Sequence, residues 1–521
     1  MKSLDSNTSN GPKATPEDQG DAKSTDNRDP VSIGGAPVGC WRRLEDLPRV
    51  DLAAYLYIAI SGMVLIISTW KLGLYSDDYW NLHDAMTSTF GGYINHHLAH
   101  TNSRYSYALF NRIMIALFYD ERDPFGWTFI RAVRIIGISM HLVSCVLTYQ
   151  IMKHLRVNAH VLFVLLSLLV LPVFGRQAVL WIAALMAHTL GLMSFLIATL
   201  ASIKRRPIPV FIGLSIALGA SEFLLLPSAI VVLIFAWKEW RHHGALPRGQ
   251  RVKKTLIVIL PLLIPFLAYL TLLSASSGTH VRLAVLQRYK RPRLWEMPLA
   301  CLTRYFKHYL PTLQPIDQLR TSPLLIVLVL GVLMVLANSR RRAAKTGLFI
   351  LLTLACVFPL AAVGYFSDGN RFRYVMGFFF YAGFAVAVSA VCDRFRTSKW
   401  PLLWRGITIA VVLGLSVAQL IQFEPIVDNG LKAYECIRGT TLRIYEETDG
   451  ETPKRIEICG FPGRVGTYPI VNNRSLPRSL ALKYGSEKPI PTKIKEECPG
   501  AGKKRLYIPT CPYKFWYRIR R

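Results

Sequence analysis

The stretch Leu52-Ala-Ala-Tyr-Leu-Tyr-Ile-Ala-Ile-Ser-Gly-Met-Val-Leu-Ile-Ile-Ser-Thr-Trp70, followed at once by Lys71-Leu-Gly-Leu-Tyr-Ser-Asp77-Asp78-Tyr-Trp80, decides how this chain is built. No charged side chain lies between Leu52 and Trp70. The run is as long as the ~20 residues an α-helix needs to cross a bilayer's hydrocarbon core. It is therefore read as a membrane span, and aromatic residues follow it at the depth where lipid headgroups sit.

The pattern repeats along the chain. Leu256 to Leu273, Leu324 to Leu336 and Ile407 to Ile421 are almost free of charge. Over 521 residues, 52% are hydrophobic and only 18% charged, with a mean hydropathy of +0.30. That is too apolar for a soluble protein of this length. Spans are expected at 52–70, 126–152, 161–174, 179–203, 208–220, 223–237, 255–273, 323–337, 347–365, 374–391 and 402–422. The expected fold class is an all-α polytopic membrane protein of roughly eleven transmembrane helices. The pair flanking Ser221-Glu222 is short, and a broken or re-entrant helix is the alternative there.

A formal charge of +30 would suggest nucleic acid in a soluble protein, but here it must first be divided between two membrane faces, and no nucleic-acid partner is expected. Much of it lies in Trp41-Arg-Arg43, Lys153 to Arg156, Lys204 to Arg206, Lys238 to Lys254, Ser339 to Arg342 and Asp393 to Arg396, between alternate spans. The positive-inside rule then predicts a cytoplasmic amino terminus. Residues 1–45 are rich in Ser, Asp, Asn, Gly and Pro, and are expected to form a disordered cytoplasmic tail. With no short apolar core and cleavage site before it, the first span is expected to serve as an uncleaved anchor.

The transmembrane part is expected over 46–424, with outer loops at 71–125 and 274–321. An odd number of crossings puts residues 425–521 outside the cytoplasm. Cys436, Cys459, Cys498 and Cys511 are an even set in that stretch, which an oxidising compartment would permit as two disulfides. Runs such as Arg455 to Ile458 and Arg505 to Ile508 read as strands. The segment is expected to be a small extracytoplasmic domain, α+β or mostly β.

Side chains that can carry chemistry cluster on the same face. Asp77 and Asp78 stand at the outer interface, where they cap a helix starting near Tyr79, serve as reactive carboxylates, or do both. The loop beyond contributes His96, His97, His100, Arg104 and Arg112 among Tyr and Asn residues, a composition suited to phosphate and sugar hydroxyls. With Asp84 these histidines are also candidates for a divalent metal, although their spacing matches no zinc signature. From His280 to His308, basic residues including Arg288 and Lys290 face a single acid, Glu296. They suit a lipid-borne phosphate or an amphipathic helix lying on headgroups. Ser367 to Tyr374 adds Arg371 and Arg373. Glu222 reads as an isolated carboxylate in apolar surroundings, and such residues are often functional. Walker A, dinucleotide-glycine, HExxH and CxxC motifs are absent from the sequence, which argues against a nucleotide-driven pump or a metalloprotease.

A first span followed directly by an acidic pair, many further spans and a soluble tail resembles the GT-C glycosyltransferases that use polyprenyl-phosphate sugars. This includes bacterial relatives of O-antigen glucosyltransferases, aminoarabinose transferases and protein mannosyltransferases. The likeness is architectural over 52–422. At motif level it is confined to Tyr75 to Trp80, the loop reaching Arg112, and Asn370-Arg-Phe-Arg-Tyr374.

The resemblance implies a bacterial inner-membrane transferase moving a sugar from a polyprenyl-phosphate donor to a surface glycan, lipid or protein. Asp77 or Asp78 would be the general base, and Arg371, Arg373 and Tyr374 would lie near the donor phosphate. The alternatives are a transporter or flippase for a lipid-linked anion, and a polysaccharide polymerase or ligase.

Overall fold

The structure is a computed structural model. It describes residues 49–74, 77–100, 104–120, 122–123, 125–172, 176–275, 340–362, 373–394, 401–459, 464–465, 468–469, 475–495, 504–506, 511 and 515–520. The expected span at 323–337, the basic segment with Arg288 and Lys290, and Arg371 lie outside the described residues.

The chain is overwhelmingly helical. From Arg49 onward run α1 (Arg49–Thr69), α2 (Asp77–Thr87), α3 (Phe90–His100), α4 (Tyr105–Phe118), α5 (Trp127–His154), α6 (Ala159–Val170), α7 (Arg176–Leu180) and α8 (Ile182–Ile203). After these come α9 (Pro207–Ala220), a 3-10 turn at Glu222–Leu224, α10 (Leu225–His242), α11 (Arg248–Ala275), α12 (Arg340–Ala362), α13 (Arg373–Arg394) and α14 (Pro401–Glu447). Among the described residues, seven helices are long and apolar enough to cross a membrane, in α1, α5, α8, α10, α11, α13 and α14. This is a multi-pass membrane protein.

Exposure supports that reading independently. Leu56, Ile60, Met63 and Ile67 recur at helical spacing on one face of α1, and each exposes more than half its surface. The same holds for Leu256, Ile257, Leu260 and Ile264 along α11 and α14's Leu403, Ile409, Leu413 and Ile421, most of them about half exposed or more. Rows of this kind are excluded from water only if lipid covers them. The interior is close-packed. At Gly213 of α9 a Cβ would fall 2.7 Å from the Ser194 carbonyl oxygen, so only glycine lets α9 and α8 approach this closely.

One end of the bundle is laced by charge. Lys153 Nζ meets Asp51 Oδ2 at 2.6 Å, Arg205 Nε meets Glu239 Oε1 at 2.7 Å, and Arg342 pairs with Asp393. Lys345 donates to the Leu155 carbonyl at the end of α5, 3.0 Å away. These residues come from the basic loops between alternate spans, and they gather at a common end.

Toward the other end, some helices are short. α9, of 14 residues, rises only about 21 Å at 1.5 Å per residue, short of a ~30 Å core. Its tip at Ala220, Ser221 and Leu224 packs against Gly191, midway along α8. With α10 it forms a helical hairpin, of which α10 with its leading turn is long and apolar enough to cross a membrane. The segment expected as an outer loop also dips inward. Tyr105 Oη, at the start of α4, donates to the Ser215 carbonyl of α9 at 2.6 Å. Further along, α4 exposes Leu109, Ile113 and Leu117 at helical spacing.

The last helix does not stop where the final span was expected to. α14 continues for 47 residues, about 70 Å, into the terminal segment. There a four-stranded mixed sheet has the order β4-β1-β6-β5. It comprises β1 (Arg455–Cys459), β4 (Thr492–Lys495), β5 (Lys504–Leu506) and β6 (Phe515–Arg520), while β2 (Arg464–Val465) and β3 (Tyr468–Pro469) pair separately. β1 runs parallel to β4, and the crossover between them carries α15 (Leu476–Tyr484). A disulfide joins Cys436 of α14 to Cys511, and Cys459 is disulfide-bonded too.

Candidate functional site

The site is built on α2. The acidic pair forms its first two residues, where carboxylates interact favourably with unpaired amides and the helix dipole. The side chain of Asp77 lies outside the described residues, whereas Asp78 is 3% exposed. Next to it, Tyr79 is fully buried against Tyr434, Ser479 and Arg438, and burial pushes its hydroxyl pKa well above the ordinary value. The approach to α2 is tight as well. A Cβ at Gly73 would overlap the Tyr434 ring at 2.1 Å, so the peptide entering α2 lies flat on α14.

Two turns further on, Asp84 gathers three basic groups from three elements. Its Oδ2 lies 3.5 Å from His96 Nε2 of α3, and its Oδ1 lies 3.7 Å from Arg478 Nε of α15 and 3.8 Å from His83 Nδ1. His83 Nε2 also lies 3.2 Å from the Ser486 carbonyl. The Arg478 guanidinium stands 5.9 Å from the Trp80 ring centroid, within cation-π range. Helix α15 of the terminal segment is thus seated directly on α2.

Below Trp80 is a box of rings and amides. His97 is fully buried, stacked near Trp80 at 6.1 Å, tilted against Tyr93 at 4.2 Å and edge-on to Tyr107 at 6.1 Å. Asn81 Nδ2 donates to Tyr107 Oη at 3.0 Å, and Asn111 Nδ2 to Tyr93 Oη at 2.7 Å. Burial raises the Tyr93 hydroxyl pKa, and of the two charges that act on it Asp84 adds to the rise while Arg112 opposes it. Arg112 is half-buried and makes no ion pair among the described residues. Flat rings beside fixed amide donors and one cation are the furniture of a site for polar, hydroxyl-rich or phosphorylated molecules.

At the floor the two hairpin tips meet. Arg104 Nε and Nη2 donate to Glu222 Oε2 and Oε1 at 2.7 and 2.6 Å, a bidentate pair. Glu222 is therefore not the isolated carboxylate its sequence neighbourhood suggested. Its negative charge is neutralised by a residue 118 positions away. Beside it, His188 of α8 is buried and stacks on Phe223 at 5.7 Å.

The remaining sequence candidates lie elsewhere. Arg373 opens α13, but its side chain is outside the described residues. Tyr374 is fully buried, and its hydroxyl lies 2.7 Å from His141 Nδ1, whose Nε2 faces the Val170 carbonyl at 3.0 Å. It is thus woven into packing between α5, α6 and α13. Among the described residues no group of three or more His, Cys, Asp or Glu side chains is placed to hold a metal ion.

Sequence reasoning missed Asp84 as a hub, and with it Asn81, His188, Arg478 and Arg134. Arg134 is fully buried in α5 and donates to the Leu72 carbonyl at 3.0 Å. A charged residue inside an apolar run was a usable signal for Arg134. Arg478 carried none, because its role depends on a docking event. Compared with known proteins, the chain matches no family model, no curated protein and no solved structure.

Proposed function

We propose that this protein is a membrane glycosyltransferase of the GT-C kind, which moves a sugar from a polyprenyl-phosphate donor to a surface glycan, lipid or protein acceptor. The observation that carries the reading is the assembly at α2. A buried acidic helix start, a ring-and-amide box and Arg112 come together at α2.

In this reading, Asp77 or Asp78 takes the proton from an acceptor hydroxyl as its oxygen bonds to the anomeric carbon. The bond from that carbon to the phosphate oxygen breaks, and polyprenyl phosphate leaves with both electrons of the bond. Arg112, with the cations expected at Arg288, Lys290, Arg371 and Arg373, would stabilise that anion. His97, Trp80 and Tyr107 would hold the sugar.

Orientation follows from two supports. The end opposite the basic ion pairs carries the disulfide-bonded segment, as an oxidising compartment requires. Counting α9 and α10 as a re-entrant hairpin removes two crossings from the expected eleven and leaves the number odd. The amino terminus is then cytoplasmic, the terminal segment extracytoplasmic, and the setting a bacterial inner membrane.

The test is sugar transfer in membranes supplied with a labelled lipid-linked donor. Asp77→Asn together with Asp78→Asn should reduce it by about 10²- to 10⁴-fold, with unchanged protein level. Undiminished transfer would refute the base assignment. A second reading, a flippase for a lipid-linked anion, draws on the two hairpins meeting tip to tip partway through the bundle. Donor translocation without transfer in sealed vesicles would favour it.

A further inference from the structure

At the basic end, far from α2, a cavity of about 160 Å³ lies among α5, α8, α10, α12 and α13. Its walls include Phe195, Phe349, Phe378 and Phe379, and among the described residues two lysines, Lys238 and Lys345, contribute the charges of its lining. Each lysine spends one donor on a backbone carbonyl. Lys238 Nζ reaches Ile203 O at 3.2 Å, and Lys345 Nζ reaches Leu155 O at 3.0 Å. An ammonium has three donors, so each retains capacity for another acceptor.

Neither lysine forms an ion pair with a carboxylate among the described residues. The charges acting on them are positive: Arg205 on Lys238, and Arg342, Arg156 and Arg341 on Lys345. Ser202, 2% exposed, also lines the space, and its hydroxyl has no hydrogen-bond partner among the described residues. Two uncompensated cations and an unsatisfied hydroxyl over an aromatic-walled cleft match an anion attached to an apolar chain. The volume admits the upper part of one chain rather than a whole lipid.

We infer that this cavity is a binding site for an anionic phospholipid of the leaflet at the basic end, with its phosphate on Lys238 and Lys345 and one acyl chain entering between the phenylalanines. The site is separate from the one at α2, and the inference holds whether or not that site transfers sugars.

The experiment uses the full chain in phosphatidylcholine nanodiscs containing a trace of phosphatidylglycerol with a diazirine on its acyl chain. After irradiation, labelled peptides are mapped by mass spectrometry. Label is expected on the peptides bearing Phe195 and Phe378, and unlabelled phosphatidylglycerol should compete it away. Lys238→Ala with Lys345→Ala should lower labelling by about tenfold, whereas the double arginine variant retains it and Lys432→Ala leaves it unchanged. Equal labelling by a phosphatidylcholine probe would overturn the proposal. So would indifference to the alanine pair, or competition by polyprenyl phosphate but not by phosphatidylglycerol. Competition in the unmodified protein and labelling of the arginine pair decide the matter even if the alanine variant misfolds.

Discussion

The two ends of this bundle handle charge in opposite ways. At the basic end, the ion pairs join the ends of long helices, as Lys153 of α5 does with Asp51 of α1 and Arg205 with Glu239 of α10. At the other end they tie short helices and the terminal segment together. Asp84 of α2 is reached by Arg478 of α15, and Glu222 by Arg104. Pairing of the first kind fixes the spans, whereas pairing of the second kind holds separate pieces of the chain around α2. The contrast separates scaffold from site more sharply than composition does, since both ends are rich in Lys and Arg.

That contrast can be broken most forcefully at the disulfide. Cys436 and Cys511 are 75 residues apart, and closing a loop of that length is worth about 4.5 kcal/mol in chain entropy. Cys436→Ser should therefore loosen the terminal sheet and expose α2, seen as faster amide exchange through Tyr79 and Leu82. Unaltered exchange would mean that docking of α15 alone holds the domain.

Next in size is the pair at the hairpin tips. Arg104→Met leaves Glu222 without its partner in a largely enclosed place and should cost about 3 kcal/mol. The double variant Arg104→Met with Glu222→Met should recover much of that loss. Thermal unfolding of the purified protein reads both, and equal destabilisation by single and double variants would show that the pair is not coupled.

A smaller effect is expected at the hub. Asp84→Asn weakens contacts of 3.5–3.8 Å to His96, Arg478 and His83, worth about 1 kcal/mol together. Its consequence is weaker seating of α15, measured as increased protease access near Arg478. At the small end, Asp428→Asn on the exposed face of α14 breaks only the surface pair with Lys432 and should shift stability by less than ~0.5 kcal/mol.

The same contrast explains what the sequence disclosed. Spans were legible because the hydrophobic run length is a local property, and α1, α5, α8 and α13 sit within a few residues of their expected bounds, while α11 starts seven residues early, at Arg248. The basic end was legible because charge between alternate spans is local too. The break at Ser221-Glu222 was visible as two runs too short to span. The dip of α3 and α4 was hidden, because His96, His97, Arg104 and Arg112 interrupt the apolar pattern and make the segment resemble a surface loop. Asp84 went unrecognised as a hub for a different reason. Two of its partners, His83 and His96, are near in sequence, but the third arrives only when the terminal segment folds back. Periodicity carries no trace of that return.

One feature of the architecture reaches beyond the site. Helix α14 runs from the lipid-facing flank into the terminal segment, is clamped there by Cys436, and abuts the entrance to α2 at Gly73. Pro425 lies inside it, and a proline there removes an intrahelical hydrogen bond and favours a bend between the apolar stretch and the terminal segment. Because Tyr434 touches both Gly73 and Tyr79, any shift of α14 beyond that proline is felt at once by the start of the acidic helix and by the docked terminal segment.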